Sequence, residues 1–161
     1  ENPSQQIPTM AEVFELVGHK LKKGLFLNIE LKTSVWHYPG IEEKIIEMVD
    51  RRGFQKNVVY SSFSALTLEK IRELDKETEI GILDNKVSDC LFKLKGGCGA
   101  NALHPFWRGM DLPAEKISGY SVRAYFSGHL YPEKPTGTRL DLESLEEKGI
   151  TDVFLNEPEM Y

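Results

Sequence analysis

The segment LFLNIELK, Leu25 to Lys32, sets three chemically capable side chains at alternate positions: Asn28, Glu30 and Lys32. Successive strand side chains take opposite faces, so these three share one face and Leu27, Ile29 and Leu31 the other. A carboxylate and an ammonium so placed have three uses. They can neutralise each other as an ion pair, or lie on the wet face of an edge strand. They can also face a special environment, since a lone buried carboxylate is costly unless it is paired or coordinates a metal. An E-x-K spacing alone does not choose among these. Four histidines, His19, His37, His104 and His129, and two cysteines, Cys90 and Cys98, complete the reactive inventory. The cysteines are too few for a disulfide framework and form no C-x-x-C, which reads as two unpaired thiols.

The elements that must position these groups alternate. IPTMAEVFELVG carries a helix entry, with Thr9 and Glu12 in capping-box spacing and Val13, Leu16 and Val17 as the apolar stripe. GIEEKIIEMVDRRG is a helix with Ile41, Ile45 and Val49 on one face and Gly53 at its end. NVVYSSF is a strand, SALTLEKIRELDKE a helix with Leu68, Ile71 and Leu74 inward, and EIGIL a strand. NKVSDCLFKLKGG is a helix, ANALH a strand, Ala114 to Ile117 a short helix and YSVRAYFSG a strand. HLYPEKPTGTR is a loop, LDLESLEEKG a helix and ITDVFLNEP the closing strand. About six strands separated by helical stretches predict right-handed βαβ units and a parallel sheet. Such strands, covered on both faces, usually read as continuous apolar runs. Four of the others roughly do, and LFLNIELK does not. A doubly wound sheet and a piece of a (β/α)8 barrel both satisfy this order. In a barrel, Glu30 and Lys32 would lie at the C-terminal strand end that carries active sites.

The 161 residues suffice for one domain, 1–161, with its own core. A net charge of −5 without a basic block argues against a nucleic-acid surface. No apolar run approaches the roughly 20 residues of a membrane span. The N-terminal ENPSQQIPTM has neither the basic nor the apolar region of a signal peptide, and it lacks an initiator Met, as a processed or shortened chain would. Cytoplasmic and secreted or periplasmic locations both stay open, as does a homo-oligomer.

Taken together and in order, IPTMAEVFELV, LNIELK, VVYSSF, GIL and ITDVFLNEPE resemble the glycerophosphodiester phosphodiesterase family, through nearly the whole chain. The resemblance implies a TIM barrel that hydrolyses glycerophosphodiesters, small-molecule phosphodiesters, to an alcohol and glycerol phosphate with a divalent metal, Mg²⁺ or Ca²⁺. It implies that Glu30 is one of three metal carboxylates and that Lys32 lies beside the phosphate. Hard cations take carboxylate oxygens, and a Lys can neutralise a phosphate oxygen as a point charge. Asn28, Phe63, Tyr125 and His37 are the candidate substrate contacts. Tyr125 occupies the place where the family often has Trp, and Phe63 ends the matching SSF. His37 lies on the loop after the metal strand, where an exposed loop histidine is the commoner case. His104 at a strand end is more commonly a satisfied histidine than a site residue.

The family's HRG, E-x-D and HD motifs, which carry the acid–base histidines and the other two metal carboxylates, are absent from this chain. The match begins at the family's third strand unit, so two of the barrel's eight strands are expected to be missing and two sheet edges exposed. The competing reading from a different class is a non-catalytic barrel-like binding or structural module that has lost the acid–base pair. An unrelated doubly wound domain is the third, distinguishable by its strand order.

Overall fold

The computed structural model describes residues 6–126 and 141–155. Its six strands form one sheet in the order β1-β2-β3-β4-β5-β6, every pair parallel. They are β1 (Leu27–Glu30), β2 (Val58–Ser62), β3 (Glu79–Asp84), β4 (Ala102–Pro105), β5 (Ser121–Tyr125) and β6 (Asp152–Phe154). Helix α1 (Met10–Leu21) precedes β1; α2 (Ile41–Asp50), α3 (Ala65–Leu74), α4 (Val87–Lys95), α5 (Ala114–Ile117) and α6 (Leu142–Glu147) follow the successive strands. Sequential order with a helix in each connection makes a curled half-barrel, which excludes the doubly wound alternative, where strand order reverses at a switch point. The HLYPEKPTGTR loop, His129 and the NEPEMY end lie outside the described residues.

Local signals account for the helix ends. Thr9 and Glu12 form the full capping box: Glu12 N–H donates to Thr9 Oγ1 at 3.3 Å, and Thr9 N–H to Glu12 Oε2 at 2.7 Å. Ser64 caps α3 through Thr67 N–H at 3.3 Å. Gly53, just past α2, takes φ +68°, a left-handed conformation that favours glycine.

The core lies between the outer face of the sheet and the helices. Tyr60, Ile80, Ile82, Leu103, Val122 and Ala124 from the strands meet Phe14, Val49, Leu68 and Ile71 from the helices, all buried. Two helix faces differ from the sequence reading. In α1 the buried residues are Phe14, Gly18 and Leu21, with Val13 and Val17 at the margin and Leu16 exposed. The missing side chain of Gly18 admits Phe54, whose ring also lies 5.7 Å from that of Phe14, so the face rotates onto that contact. In α3, Leu68 and Ile71 are buried but Leu74, the last helical residue, is exposed.

The inner face is filled at its centre by one histidine. The His104 imidazole, fully buried, lies over Gly81 on the adjacent strand. A Cβ on Gly81 would fall 2.1 Å from His104 Cε1. Overpacking a filled core costs ~1–3 kcal/mol. Gly81→Ala is therefore expected to lose ~2 kcal/mol or more in urea unfolding. Adding His104→Ala should recover part of that loss; simple additivity of the two variants would overturn the contact.

Candidate active site

Alternation and register together decide which side chains meet. Glu30 of β1 pairs with Ser61 of β2, and Ser61 with Gly81 of β3, so their side-chain positions form one row across the inner face. The His104 ring covers Gly81 in that row, and Arg123, with Nη1 3.5 Å from His104 Nε2, extends it. Two residues further toward the C-terminal strand ends come Lys32 and Phe63, and on β5 Tyr125.

Glu30 and Lys32 form an ion pair, Nζ to Oε1 at 2.7 Å. The Lys32 side chain is 80% exposed and that of Glu30 30% exposed. Exposure makes this pair worth little in stability, with typical values of ~0–1 kcal/mol. It is therefore free to open when a ligand offers either charge a better partner. Asn28 is exposed on the same face, two residues deeper in the strand.

Phe63 and Tyr125 are brought together from strands far apart in sequence, edge to face with centroids 6.0 Å apart. The Tyr125 hydroxyl donates to Asn85 Oδ1 at 3.3 Å. Burial, then neighbouring Cys90, Asp84 and Glu30, push the Tyr125 phenol up; the Glu30 charge thus reaches across the inner face. His37 makes no hydrogen bond or ion pair with this group among the described residues. It is exposed in the loop with Val35, Trp36 and Tyr38, and its charge is felt at Glu43 at the start of α2.

Three features were not read from the sequence. Phe106, just after β4, packs its ring 5.5 Å from Tyr125. Lys93 of α4 pairs with Asp84 at 2.7 Å and donates to the Phe63 carbonyl at 3.2 Å, tying the ends of β2 and β3. Arg123 binds Glu79 at 2.7 Å and reaches Asp152 at 3.6 Å. Only the apolar-polar alternation of SVRAYF hinted that Arg123 and Tyr125 share a face. His104 is not the satisfied strand-end histidine expected: Nδ1 has no partner, and Phe154 packs against its ring at 5.3 Å.

Among the described residues no group of three or more His, Cys, Asp or Glu could hold a metal ion. Glu30 is paired to Lys32, Asp84 to Lys93, and Glu79 and Asp152 to Arg123. One carboxylate does not fit a hard divalent cation, which takes six or more oxygen ligands. Two grooves lie elsewhere: one of about 700 Å³ between α5, α6 and β6, and one of about 580 Å³ bordered by Phe26, Leu74 and Glu79.

This geometry defines a (β/α)-barrel-type scaffold with a charged pair and an aromatic group at the C-terminal strand ends, the position of catalytic groups in such barrels. The comparisons agree with that class and show which proteins the chain resembles. A "Glycerophosphodiester phosphodiesterase" of Caldanaerobacter subterraneus subsp. tengcongensis is 29% identical over 155 residues, 96% of this chain and 60% of that protein. One of the same name from Bacillus altitudinis is 31% identical over 118 residues, 73% of this chain and 47% of that protein. A solved glycerophosphodiester phosphodiesterase from Parabacteroides distasonis matches with TM-score 0.64 and 20% identity, over 88% of this chain and 58% of that one. A structure from Galdieria sulphuraria matches at TM-score 0.70 and 22% identity, over 93% of this chain and 60% of that one. No family model matches the chain. The resemblance to the glycerophosphodiester phosphodiesterases is thus borne out over most of the chain, which spans 47–60% of the length of these two curated relatives. No described helix is long and apolar enough to cross a membrane.

Burial, then the Arg123 charge, lowers the His104 pKa from 6.5 to about 3. In the unfolded chain His104 takes up a proton near pH 6.5, while the folded protein resists it until about pH 3. The unfolded state therefore binds more protons in that window, and stability falls as pH drops through it. The slope contributed is up to ~1.4 kcal/mol per pH unit. Urea midpoints between pH 7 and 4 should fall with a slope that shrinks in His104→Gln; an unchanged slope would show that other groups dominate.

Proposed function

We propose that this chain supplies the phosphate-facing part of a glycerophosphodiester phosphodiesterase, which hydrolyses its substrate to an alcohol and glycerol phosphate. The observation that carries this reading is the exposed Glu30–Lys32 pair at the C-terminal end of β1, within a half-barrel. The names of the curated relatives support it. Lys32, with its exposed ammonium, exchanges Glu30 for a phosphate oxygen, a charge-assisted bond of the stronger kind. Glu30, released from Lys32, would supply one carboxylate to a divalent cation, Mg²⁺ or Ca²⁺, which needs several further oxygen ligands. Phe63 and Tyr125 border the bound diester, and Asn28 faces it from the same side of β1 as Glu30. His37, exposed on the loop after β1, is an outer contact.

A second reading has its own observation. Among the described residues no histidine bonds to Glu30: its one partner is Lys32, His37 is exposed on the following loop, and His104 is buried and neutral at pH 7. A chain with no positioned proton carrier is a non-catalytic module of the same fold.

The deciding experiment is release of glycerol phosphate from a glycerophosphodiester by the longest native protein carrying this chain. Glu30→Gln is expected to lower turnover about a hundredfold or more, with the unfolding midpoint little changed because the pair with the exposed Lys32 contributes little stability. Titration calorimetry should show divalent-cation binding that disappears in the same variant. A folded wild type with neither turnover nor cation binding would establish the module instead.

A further inference from the structure

The inner face carries an aromatic group beside the charged pair, and its composition restricts the substrate. Phe63 lies two residues beyond Ser61, the register partner of Glu30, and Tyr125 two residues beyond Arg123. A bridge between Phe106 and Tyr125 places these two on one face. All three rings are half-buried, and they touch in series, at 6.0 Å between Phe63 and Tyr125 and 5.5 Å between Tyr125 and Phe106.

The polar atoms of this wall are already used. The Tyr125 hydroxyl is spent on Asn85, and the Asp84 carboxylate on Lys93. The neighbouring Trp107 face is covered by the Arg108 guanidinium, 4.7 Å from the ring centroid. The wall thus has cations at its margins and no unpaired carboxylate among the described residues to meet a cationic head group. An apolar group loses no hydrogen bond on reaching it and removes aromatic surface from water.

The wall is also held in place before any ligand arrives. Lys93 bonds the Phe63 carbonyl, and Phe106 N–H donates to the Asp84 carbonyl at 3.0 Å. Gly109, after Phe106, packs so closely on the loop after β3 that a Cβ there would fall 1.7 Å from the Asn85 carbonyl oxygen. Surface already ordered costs little to use in binding.

We propose that Phe63, Tyr125 and Phe106 form the subsite for the alcohol portion of the diester, and that the group it takes is apolar and extended rather than cationic. This rests on the reading of the site as a glycerophosphodiester site. The phosphate is held at Lys32, and the alcohol substituent runs from there along the three rings.

The test is titration calorimetry of the protein with non-hydrolysable phosphonate analogues of glycerophosphodiesters. One series carries straight alkyl groups of increasing length; one pair carries choline or its uncharged carbon isostere, 3,3-dimethylbutanol. Each methylene reaching the wall should tighten binding about three- to fourfold, and the uncharged isostere should bind more tightly than choline. Phe106→Ala should flatten the dependence on chain length, and Phe63→Leu serves if that variant does not fold. Affinity independent of chain length, or tighter binding of choline, overturns the proposal while leaving the site reading intact. No binding of any analogue overturns the site reading, and the subsite with it.

Discussion

The His104 imidazole occupies the volume that a side chain at position 81 would need, and the inner face is organised around that substitution of one residue's space by another's. Because Gly81 contributes nothing, β3 and β4 share one ring between them at the centre of the row that begins at Glu30. The ring is sealed from outside by Phe154 and bounded by Arg123, which in turn gathers Glu79 and Asp152 from two other strands. Burial keeps the imidazole neutral, so it adds no charge below the site. The charges that remain available on this face, Glu30 and Lys32, are those at the open margin of β1. A buried polar centre with one unsatisfied nitrogen is costly. The fold bears that cost between Gly81, Arg123 and the Phe154 ring.

The architecture was readable because its signals are local. Capping-box spacing, β-branched runs and the glycine after α2 each act within a few residues, and the strand order follows from their alternation. The unusual pattern of LFLNIELK was readable too, and its two explanations are not exclusive: the residues form the ion pair anticipated as the plainer case, at the strand end where barrel chemistry takes place. What was not readable depends on register and on neighbours distant in sequence. Leu16 has the spacing of a core residue, but the contact between Gly18 and Phe54 turns α1 away from it. His104 has the look of a strand-end polar residue, and only the bare backbone of Gly81 makes room to bury it. Phe106 and Asn85 carry no motif; their roles exist because β3, β4 and β5 end at the same level.

The candidate site is correspondingly divided. Its charged part sits at the end of β1, exposed and weakly paired. Its aromatic part sits deeper, rigid and tied by backbone hydrogen bonds between successive strand ends. This division suits a ligand with two chemically different halves, an anion that must be met by movable charge and a substituent that is best met by fixed shape. Relatives named glycerophosphodiester phosphodiesterase align over most of the chain, which spans 47–60% of their length.

Strand order has a kinetic side as well. Every strand pairs only with its predecessor and its successor along the chain, so no pairing must wait for a distant segment to return. Each closure spans a single β/α unit, and the entropy of loop closure rises only slowly with length, so the steps are similar in cost. Each described β/α unit can accordingly be added to the edge left by the one before it, so the rings of Phe106 and Tyr125 come into place after the strand of Glu30.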